Sequence, residues 1–251
     1  MEQNLEAVPL PRCREAAWFL DIDGTLIDIA ATPGDVCVAK VLPPLLTQLH
    51  TASDGALALV TGRTVASADH LFAPLQFAIA GQHGLERRDA NGTMHLHASD
   101  ARKIAAARPT VVEWTDRHPE LLLEDKGLSL AIHFRQAPVL GDAVRDFLAG
   151  IVASTQPDLH LQAGKMVYEL RPAGRDKGVA VREYLAETPF AGRTPVFVGD
   201  DLTDEFGFVA INQLHGLTVK VGEEWSSAQW RLPDVGSVLR WLTDCVAQDF
   251  L

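Results

Sequence analysis

The sequence is poor in cysteine and lacks long hydrophobic runs, and each shortage argues against a class of protein. Its three cysteines, Cys13, Cys37 and Cys245, lie far apart in the 251-residue chain and form no C-x-x-C pair. This spacing indicates neither a disulfide framework nor a zinc site, so we expect reduced thiols in a cytoplasmic protein. Residues 1–18 lack a basic segment followed by an apolar one, and no apolar run is long enough to span a bilayer. We therefore expect neither a signal peptide nor a membrane protein.

Positive charge is also scarce. The chain carries 33 acidic residues against 22 lysines and arginines, which gives a formal net charge of −11 at pH 7. This excess argues against binding to nucleic acid or to an anionic membrane surface. The sequence contains no G-x-x-x-x-G-K-[ST] loop, so nucleotide phosphate binding of that type is not indicated either. Both a monomer and a homodimer are compatible with the sequence.

Apolar strands and amphipathic helices alternate in the first third of the chain. The patterns predict strands at 16–21, 56–60 and 76–81, with helices at 41–53 and 64–72 between them. The run at 56–60 is continuously apolar, which is typical of a strand buried on both faces. Such alternation predicts a parallel sheet with helices on both faces.

The middle of the chain has a different pattern. Three strand pairs are predicted to turn at or near Gly92, Gly127 and Gly164, and helices are predicted at about 99–118 and 138–155. Helices that alternate with hairpins predict an antiparallel sheet backed by two helices.

The alternating pattern then resumes, so the middle segment interrupts the first one. We expect an α/β protein in which residues 1–82 and 169–251 form one catalytic core. Residues 83–168 are expected to form an inserted α+β domain.

Polar side chains follow the apolar runs of the predicted parallel sheet. They are Asp21 and Asp23, then Thr61 and Arg63, then Lys177 at the start of a helix, and finally Asp200, Asp201 and Asp204. Ligands bind beyond the carboxyl ends of parallel strands, so these groups are expected to converge. Carboxylates without histidine or cysteine among them select a hard cation, usually Mg²⁺. A lysine at a helix N-terminus and a threonine hydroxyl suit a phosphate group.

Asp21 and Asp23 are the candidates for chemistry. A carboxylate at the end of a hydrophobic strand must be paired, bound to metal or used, because burying it alone costs several kcal/mol. Residues two apart in a strand share a face, so Asp21 could attack phosphorus while Asp23 moves protons. Each motif alone has a plainer interpretation, such as a D-x-D-G turn, a helix cap or a surface lysine. Their joint occurrence in this order favours catalysis.

The segments DIDGT, VTGR, DKG and GDDLTDE resemble the four ordered motifs of the haloacid-dehalogenase-like (HAD) phosphatases. The resemblance implies an HAD-like Rossmannoid core, a transient phosphoryl group on Asp21, and Asp23 as the acid that protonates the leaving alcohol and then activates water. It implies that Thr61 and Lys177 hold the phosphoryl group. The implied Mg²⁺ site consists of the Asp21 carboxylate, the Asp23 backbone carbonyl and Asp200, supported by Asp201 and Asp204.

The inserted segment narrows the match. GQHGLE, LEDKGLSLAIHFR and GKMVYELRP are similar to segments of trehalose-6-phosphate phosphatases, in which the insert is a substrate-specificity cap. The candidate substrate-binding residues are Arg63, Glu124, Lys126, His133 and Glu169. Sugar hydroxyls need paired donors and acceptors, which this set supplies. Alternatively, Glu124, Lys126 and Glu169 could be ordinary hairpin charges. His133 could be a structural histidine in a strand.

The leading hypothesis is a Mg²⁺-dependent phosphatase that hydrolyses trehalose 6-phosphate through an aspartyl phosphate, as in trehalose biosynthesis. The alternatives are another sugar-phosphate phosphatase or a phosphomutase with the same core. A catalytically silent sugar-phosphate sensor is a third alternative, although the complete set of acids argues against it.

Overall fold

The computed structural model describes residues 7–30, 35–97 and 101–249, which form two β-sheets. The larger sheet contains β1 (Ala16–Leu20), β2 (Leu57–Val60), β3 (Ala78–Gly81), β4 (Glu86–Arg88), β5 (Met94–Leu96), β10 (Thr194–Gly199), β11 (Leu217–Val221) and β12 (Trp230–Leu232). The smaller sheet contains β6 (Leu122–Asp125), β7 (Leu130–His133), β8 (Leu159–Gly164) and β9 (Val167–Pro172). The helices are α1 (Leu42–Ala52), α2 (Val65–Phe72), α3 (Ala101–Thr115), α4 (Gly141–Thr155), α5 (Lys177–Leu185), α6 (Glu205–Gln213) and α7 (Val235–Gln248).

The larger sheet has the strand order β12-β11-β10-β1-β2-β3-β4-β5. Neighbouring strands from β12 to β3 are parallel, and β4 and β5 add an antiparallel edge. The parallel sheet expected from the alternating pattern is therefore confirmed. The predicted helix at 99–118 is described from Ala101 to Thr115, and its first two predicted positions lie outside the described residues.

Both faces of this sheet are covered, because successive side chains of each strand point in opposite directions. Trp18 packs with α1, α2 and α7 and meets Trp241 at 5.7 Å between ring centroids. Its neighbour Phe19 packs with α5 and α6 and stacks on Phe190 at 5.6 Å. Fully burying such a side chain contributes about 1.5–3 kcal/mol, so the central strands are firmly held between the helix layers.

The smaller sheet is antiparallel throughout, in the order β6-β7-β9-β8. One face carries apolar side chains such as Ile132 and Leu170, which pack with Ile104 of α3 and Val144 of α4. The alternating residues, among them Glu169, lie on the other face. That polar face lies over the carboxyl ends of the strands of the larger sheet.

The first of the three predicted hairpins belongs to the larger sheet. Sequence position placed it in the inserted segment, but β4 pairs with β3, and only the second and third hairpins build the smaller sheet. Ion pairs explain the docking. Arg88 binds Asp69 at 2.7 Å through two nitrogens, and Arg87 binds Glu187 at 2.7 Å. A turn signal predicts a hairpin but not the surface on which it packs.

No helix in the described part of the chain has the length and apolarity needed to cross a membrane.

Candidate active site

A cavity of about 180 Å³ lies between the carboxyl ends of β1, β2 and β10 and the polar face of the smaller sheet. Seven of the eight predicted core residues line it, namely Asp21, Asp23, Thr61, Arg63, Lys177, Asp200 and Asp201. The four predicted residues of the smaller sheet and its turn line it as well: Glu124, Lys126, His133 and Glu169. Asp204 is fully buried and contacts Lys177 next to the cavity. The structure thus brings the whole predicted set together.

Asp21 and Lys177 form a buried ion pair at the bottom of the cavity. The Lys177 Nζ donates to Asp21 Oδ1 at 2.7 Å, and the two side chains are 6% and 2% exposed. Lys177 is the first residue of α5, whose N-cap Asp176 accepts a hydrogen bond from Val179 N. This N-cap hydrogen bond fixes the residue at which α5 begins, and it therefore fixes the backbone position of Lys177. The second Asp21 oxygen, Oδ2, accepts a longer hydrogen bond of 3.4 Å from the Thr25 hydroxyl, so it is held less firmly than Oδ1.

Asp204 anchors this part of the site rather than facing the cavity. Its Oδ1 accepts from Lys177 Nζ at 2.6 Å, and its Oδ2 accepts from the backbone N–H groups of Asp200 and Asp201 at 2.9 Å each. Gly199 makes room for it, because a Cβ there would lie 2.3 Å from Asp204 Cγ. Asp204 therefore positions both Lys177 and the turn that carries Asp200.

Asp200 has one free carboxylate oxygen. Its Oδ2 accepts from Lys165 Nζ at 2.6 Å, whereas its buried Oδ1 has no hydrogen-bond partner among the described residues. One oxygen each from Asp21, Asp200 and Asp204 lie within 4.8 Å of one another. Because both Asp204 oxygens are already engaged, Asp21 and Asp200 are the carboxylates that can hold a cation. An all-oxygen donor set with an unpaired buried acceptor fits a hard metal ion.

The electrostatics of the cluster also favour a cation. Burial, and to a lesser extent the neighbouring Asp204 carboxylate, raise the pKa of Asp200 to about 6, although Lys165 opposes the shift. Burial likewise raises the pKa of Asp21, although Lys177 acts in the opposite direction. Burial disfavours the charge of Lys177 itself, but the adjacent Asp204 and Asp21 carboxylates hold its pKa above the usual range. Lys177 is therefore charged, and Lys165 supplies a second positive charge beside Asp200. A metal ion would stabilise the ionised forms of Asp21 and Asp200, which burial disfavours.

Asp23 and Thr61 lie at the side of the cavity, on neighbouring strand ends. Arg63 binds Asp23 with two nearly parallel hydrogen bonds of 2.6 and 2.7 Å. Thr61 is 1% exposed, and its hydroxyl oxygen accepts from Arg63 N at 3.1 Å. The predicted acid–base residue is thus held by the predicted substrate residue Arg63.

The polar face of the smaller sheet supplies a second set of charges. Lys126 Nζ lies 3.2 Å from Glu169 Oε2, and Glu124 Oε2 lies 2.9 Å from His133 Nε2. Burial opposes ionisation of Glu169, yet Lys126 and His83 hold its pKa well below the usual range. Its other oxygen, Oε1, has no hydrogen-bond partner in the described part of the chain. Glu169 is therefore a charged acceptor with an oxygen to spare.

The sequence analysis missed several cavity residues, and two of them, Lys165 and His83, contact predicted site residues. Lys165 reaches Asp200 from the turn between β8 and β9, and His83 lies 3.5 Å from Glu169. Burial lowers the pKa of His83 to about 4, which keeps its imidazole neutral near pH 7. Both residues stand in segments that resemble the family, GKMVYELRP and GQHGLE, and that position was the available signal. Nothing in the residue pattern itself shows that they reach the cavity.

Comparison with known proteins agrees with this geometry. Residues 19–235 match the family model described as trehalose-phosphatase. The chain is 46% identical over 229 residues to trehalose-6-phosphate phosphatase of Escherichia coli (strain K12), covering 90% of this chain and 85% of that protein. A solved structure of a trehalose-6-phosphate phosphatase related protein is 27% identical, with a TM-score of 0.78 over 92% of this chain and 97% of that one.

The fold itself recurs in more distant proteins. The C-terminal domain of trehalose-6-phosphate phosphatase from C. albicans superposes with a TM-score of 0.82, over 93% of this chain and 92% of that one, at 21% identity. This likeness supports the HAD-like α/β core expected from the four motifs. The family model spans the strand ends and the smaller sheet together, so the match covers the whole site. This protein belongs to the trehalose-phosphatase family.

Proposed function

We propose that this protein hydrolyses trehalose 6-phosphate to trehalose and inorganic phosphate through an aspartyl phosphate on Asp21. The observation that carries the proposal is the single cavity in which a buried carboxylate–lysine pair meets the polar face of the smaller sheet. The first set of groups suits a phosphoryl group and the second suits sugar hydroxyls. The name of the Escherichia coli relative supplies the substrate.

In the proposed mechanism, Asp21 Oδ2 attacks phosphorus while Lys177 holds Oδ1. A nucleophile fixed through one oxygen keeps the other aimed at the reacting atom. Asp23 leaves Arg63 and takes up a proton from solvent, gives that proton to the sugar oxygen as its bond to phosphorus breaks, and later takes one from the water that attacks the aspartyl phosphate. The Thr61 hydroxyl and the Lys177 ammonium hold the phosphoryl oxygens.

The metal in this proposal is Mg²⁺. Its proposed ligands are the Asp21 carboxylate, the Asp23 backbone carbonyl and Asp200, with Asp201 and Asp204 fixing the turn that carries Asp200. When bound, Mg²⁺ would neutralise charge on the transferring phosphoryl group. Gly24 supports this arrangement, because its position next to Asp200 leaves no space for a side chain.

We also propose that the smaller sheet with α3 and α4 is a cap that closes over the core. Sheet membership supports a cap of about residues 101–172 rather than 83–168, because β4 and β5 pair with the larger sheet and β9 ends at Pro172. A lid of this kind shields the aspartyl phosphate from stray water and lets the product leave. In this proposal the phosphate of the disaccharide lies at the metal site, and its two sugar rings extend toward the cap.

The cap residues should select the sugar. We expect Glu124→Ala, Lys126→Ala and Glu169→Ala each to lower kcat/KM for trehalose 6-phosphate by about ten- to a hundredfold, since an unfilled hydrogen bond to a charged group is costly. The loss should be much smaller for p-nitrophenyl phosphate, which is too short to reach the cap. Glu120→Ala, an exposed residue just before β6, is the matched control. Equal losses on both substrates would contradict a role in sugar recognition.

A second prediction concerns Gly24. Its φ is +81°, and a Cβ there would lie 2.1 Å from Asp200 Oδ2, so Gly24→Ala must displace that carboxylate. We expect phosphatase activity to fall by about a hundredfold or more, because even small misplacement of a catalytic group is costly. Gly174→Ala is the control, since Gly174 has φ +83° but a Cβ there would meet nothing within 4 Å. Similar activity in the two variants would argue against the proposed place of Asp200.

The reaction class is tested by incubating the protein and Mg²⁺ with a panel of sugar phosphates. Release of inorganic phosphate from trehalose 6-phosphate, with trehalose in equal amount, is the expected result. Interconversion of isomers with little phosphate release would indicate a phosphomutase. Binding of sugar phosphates without any conversion would indicate a sensor.

A further inference from the structure

We propose that Gln82 is a positioning residue that fastens the β6–β7 turn of the cap to the loop after β2, and so places Lys126 for the sugar. The inference rests on the proposed function and concerns a side chain that has no place in the mechanism above. Gln82 is only 1% exposed and is not among the residues that line the cavity. It can therefore act on the substrate only through a neighbour.

The side chain of Gln82 bridges the two parts of the protein. Its Nε2 donates to the backbone carbonyl of Lys126 at 3.1 Å and to Glu86 Oε1 at 3.3 Å. Its Oε1 accepts from the Ser129 hydroxyl at 2.9 Å. Lys126 and Ser129 flank the turn of the cap hairpin, while Glu86 opens β4 of the larger sheet. The two acceptors beside Nε2 fix the orientation of the amide, because the reverse orientation would oppose oxygen to oxygen.

The backbone of the same segment is fastened to the loop after β2, which contains Thr61, Gly62 and Arg63. Gln82 N donates to the Arg63 carbonyl at 2.8 Å, and His83 N donates to the Thr61 carbonyl at 2.9 Å. Both residues have positive φ, +46° for Gln82 and +56° for His83, a region that non-glycine residues rarely adopt. Such a conformation persists only where the surrounding structure determines it, and here the loop contacts do so.

Lys126 is therefore held at two points. Gln82 binds the backbone carbonyl of Lys126. The Lys126 Nζ donates to the Gly62 carbonyl at 2.9 Å and to Glu169 Oε2 at 3.2 Å. Gly62 lies between Thr61 and Arg63, so the contacts form a closed ring from the loop through Gln82 and Lys126 back to the loop. Loss of the Gln82 side chain would let the turn shift while the core remained intact.

The test compares kcat/KM of Gln82→Ala on trehalose 6-phosphate and on p-nitrophenyl phosphate. We expect a loss of about ten- to fiftyfold on the sugar phosphate and no more than about threefold on the aryl phosphate. Gln82→Glu has nearly the same shape but opposes a carboxylate to Glu86 and the Lys126 carbonyl, so we expect the same selective loss. Ser129→Ala should give a smaller loss of the same kind. Gln213→Ala, an exposed glutamine on α6, is the control and should match the wild type.

The double variant Gln82→Ala/Lys126→Ala separates positioning from a second, independent contact. If Gln82 acts through Lys126, the double variant should be within about threefold of Lys126→Ala alone. The inference would be overturned if the losses in kcat/KM of the two single variants multiplied in the double variant. It would also be overturned if Gln82→Ala, Gln82→Glu and Ser129→Ala each lowered kcat/KM equally on both substrates. The proposed function is tested separately, by comparing kcat/KM of the wild type on trehalose 6-phosphate and on p-nitrophenyl phosphate. Faster amide hydrogen exchange at residues 126–129 in Gln82→Ala is expected whichever sugar phosphate is preferred, and unchanged exchange there would also overturn the inference.

Discussion

Replacing Asp21 with asparagine is expected to lower kcat by roughly 10⁴- to 10⁶-fold, the scale seen when an enzyme loses its nucleophile. Asparagine is nearly isosteric with aspartate, but its amide cannot attack phosphorus to give an acyl phosphate. Asp21 is buried and Lys177 fixes its Oδ1 at 2.7 Å, so the substitution removes the attacking oxygen with little change in the shape of the site. Steady-state phosphate release from trehalose 6-phosphate measures the effect.

The fold should survive this change. In the absence of metal, the Asp21→Asn variant should be at least as stable as the wild type, because burial and nearby carboxylates already raise the pKa of Asp21 and disfavour its charge. Asp28→Asn, an exposed aspartate of the same segment, is the matched control and should retain full activity. Substantial turnover by Asp21→Asn would show that the covalent step does not occur at this residue.

Removal of metal should have a comparable effect. We expect a chelator to abolish phosphate release and Mg²⁺ to restore it, because Asp21 and Asp200 lie close together and the buried Asp200 Oδ1 has no hydrogen-bond partner among the described residues. Ca²⁺ should inhibit, since it prefers more ligands in a looser geometry and can take both oxygens of the nucleophile. Full activity in excess chelator would contradict Asp21 and Asp200 as metal ligands.

Metal binding should also be visible in the absence of substrate. A ligand present at a hundred times its Kd stabilises the native state by about 2.7 kcal/mol, which corresponds to a rise in Tm of about 5–10 °C for a protein of this size. Asp200→Asn should lose most of this rise, while Asp201→Asn should keep part of it, because Asp201 mainly caps the following turn. An equal rise in Tm for Asp200→Asn and the wild type would place the metal elsewhere.

The core of the site was predictable because its residues stand at the ends of apolar strands. Asp21, Thr61 and Asp200 each follow a short apolar run typical of a buried strand, and the ends of parallel strands meet at one edge of a sheet. Local sequence therefore carried enough information to bring together residues that are far apart in the chain. The helix start at Lys177 was readable for the same reason, since its N-cap precedes it directly.

Features that depend on how two surfaces dock were not predictable. The β4–β5 hairpin joins the larger sheet through ion pairs between residues 19 and 100 positions apart, which no local pattern reveals. Lys165 meets Asp200 across 35 positions, because the turn after β8 happens to lie over the end of β10. Gln82 is a similar case. Its place in the GQHGLE segment gives no sign of its partners, because Lys126 and Ser129 lie 44 and 47 positions further along the chain.

The most direct test of the account is the ratio of kcat/KM for trehalose 6-phosphate to that for glucose 6-phosphate, measured with Mg²⁺ present. We expect the core to bind the phosphate of either compound, and only the disaccharide to reach the charged cap residues that line the same cavity. Each cap contact is worth about a factor of ten or more, so the account predicts a ratio of at least about a hundred. Equal or faster hydrolysis of glucose 6-phosphate would contradict it.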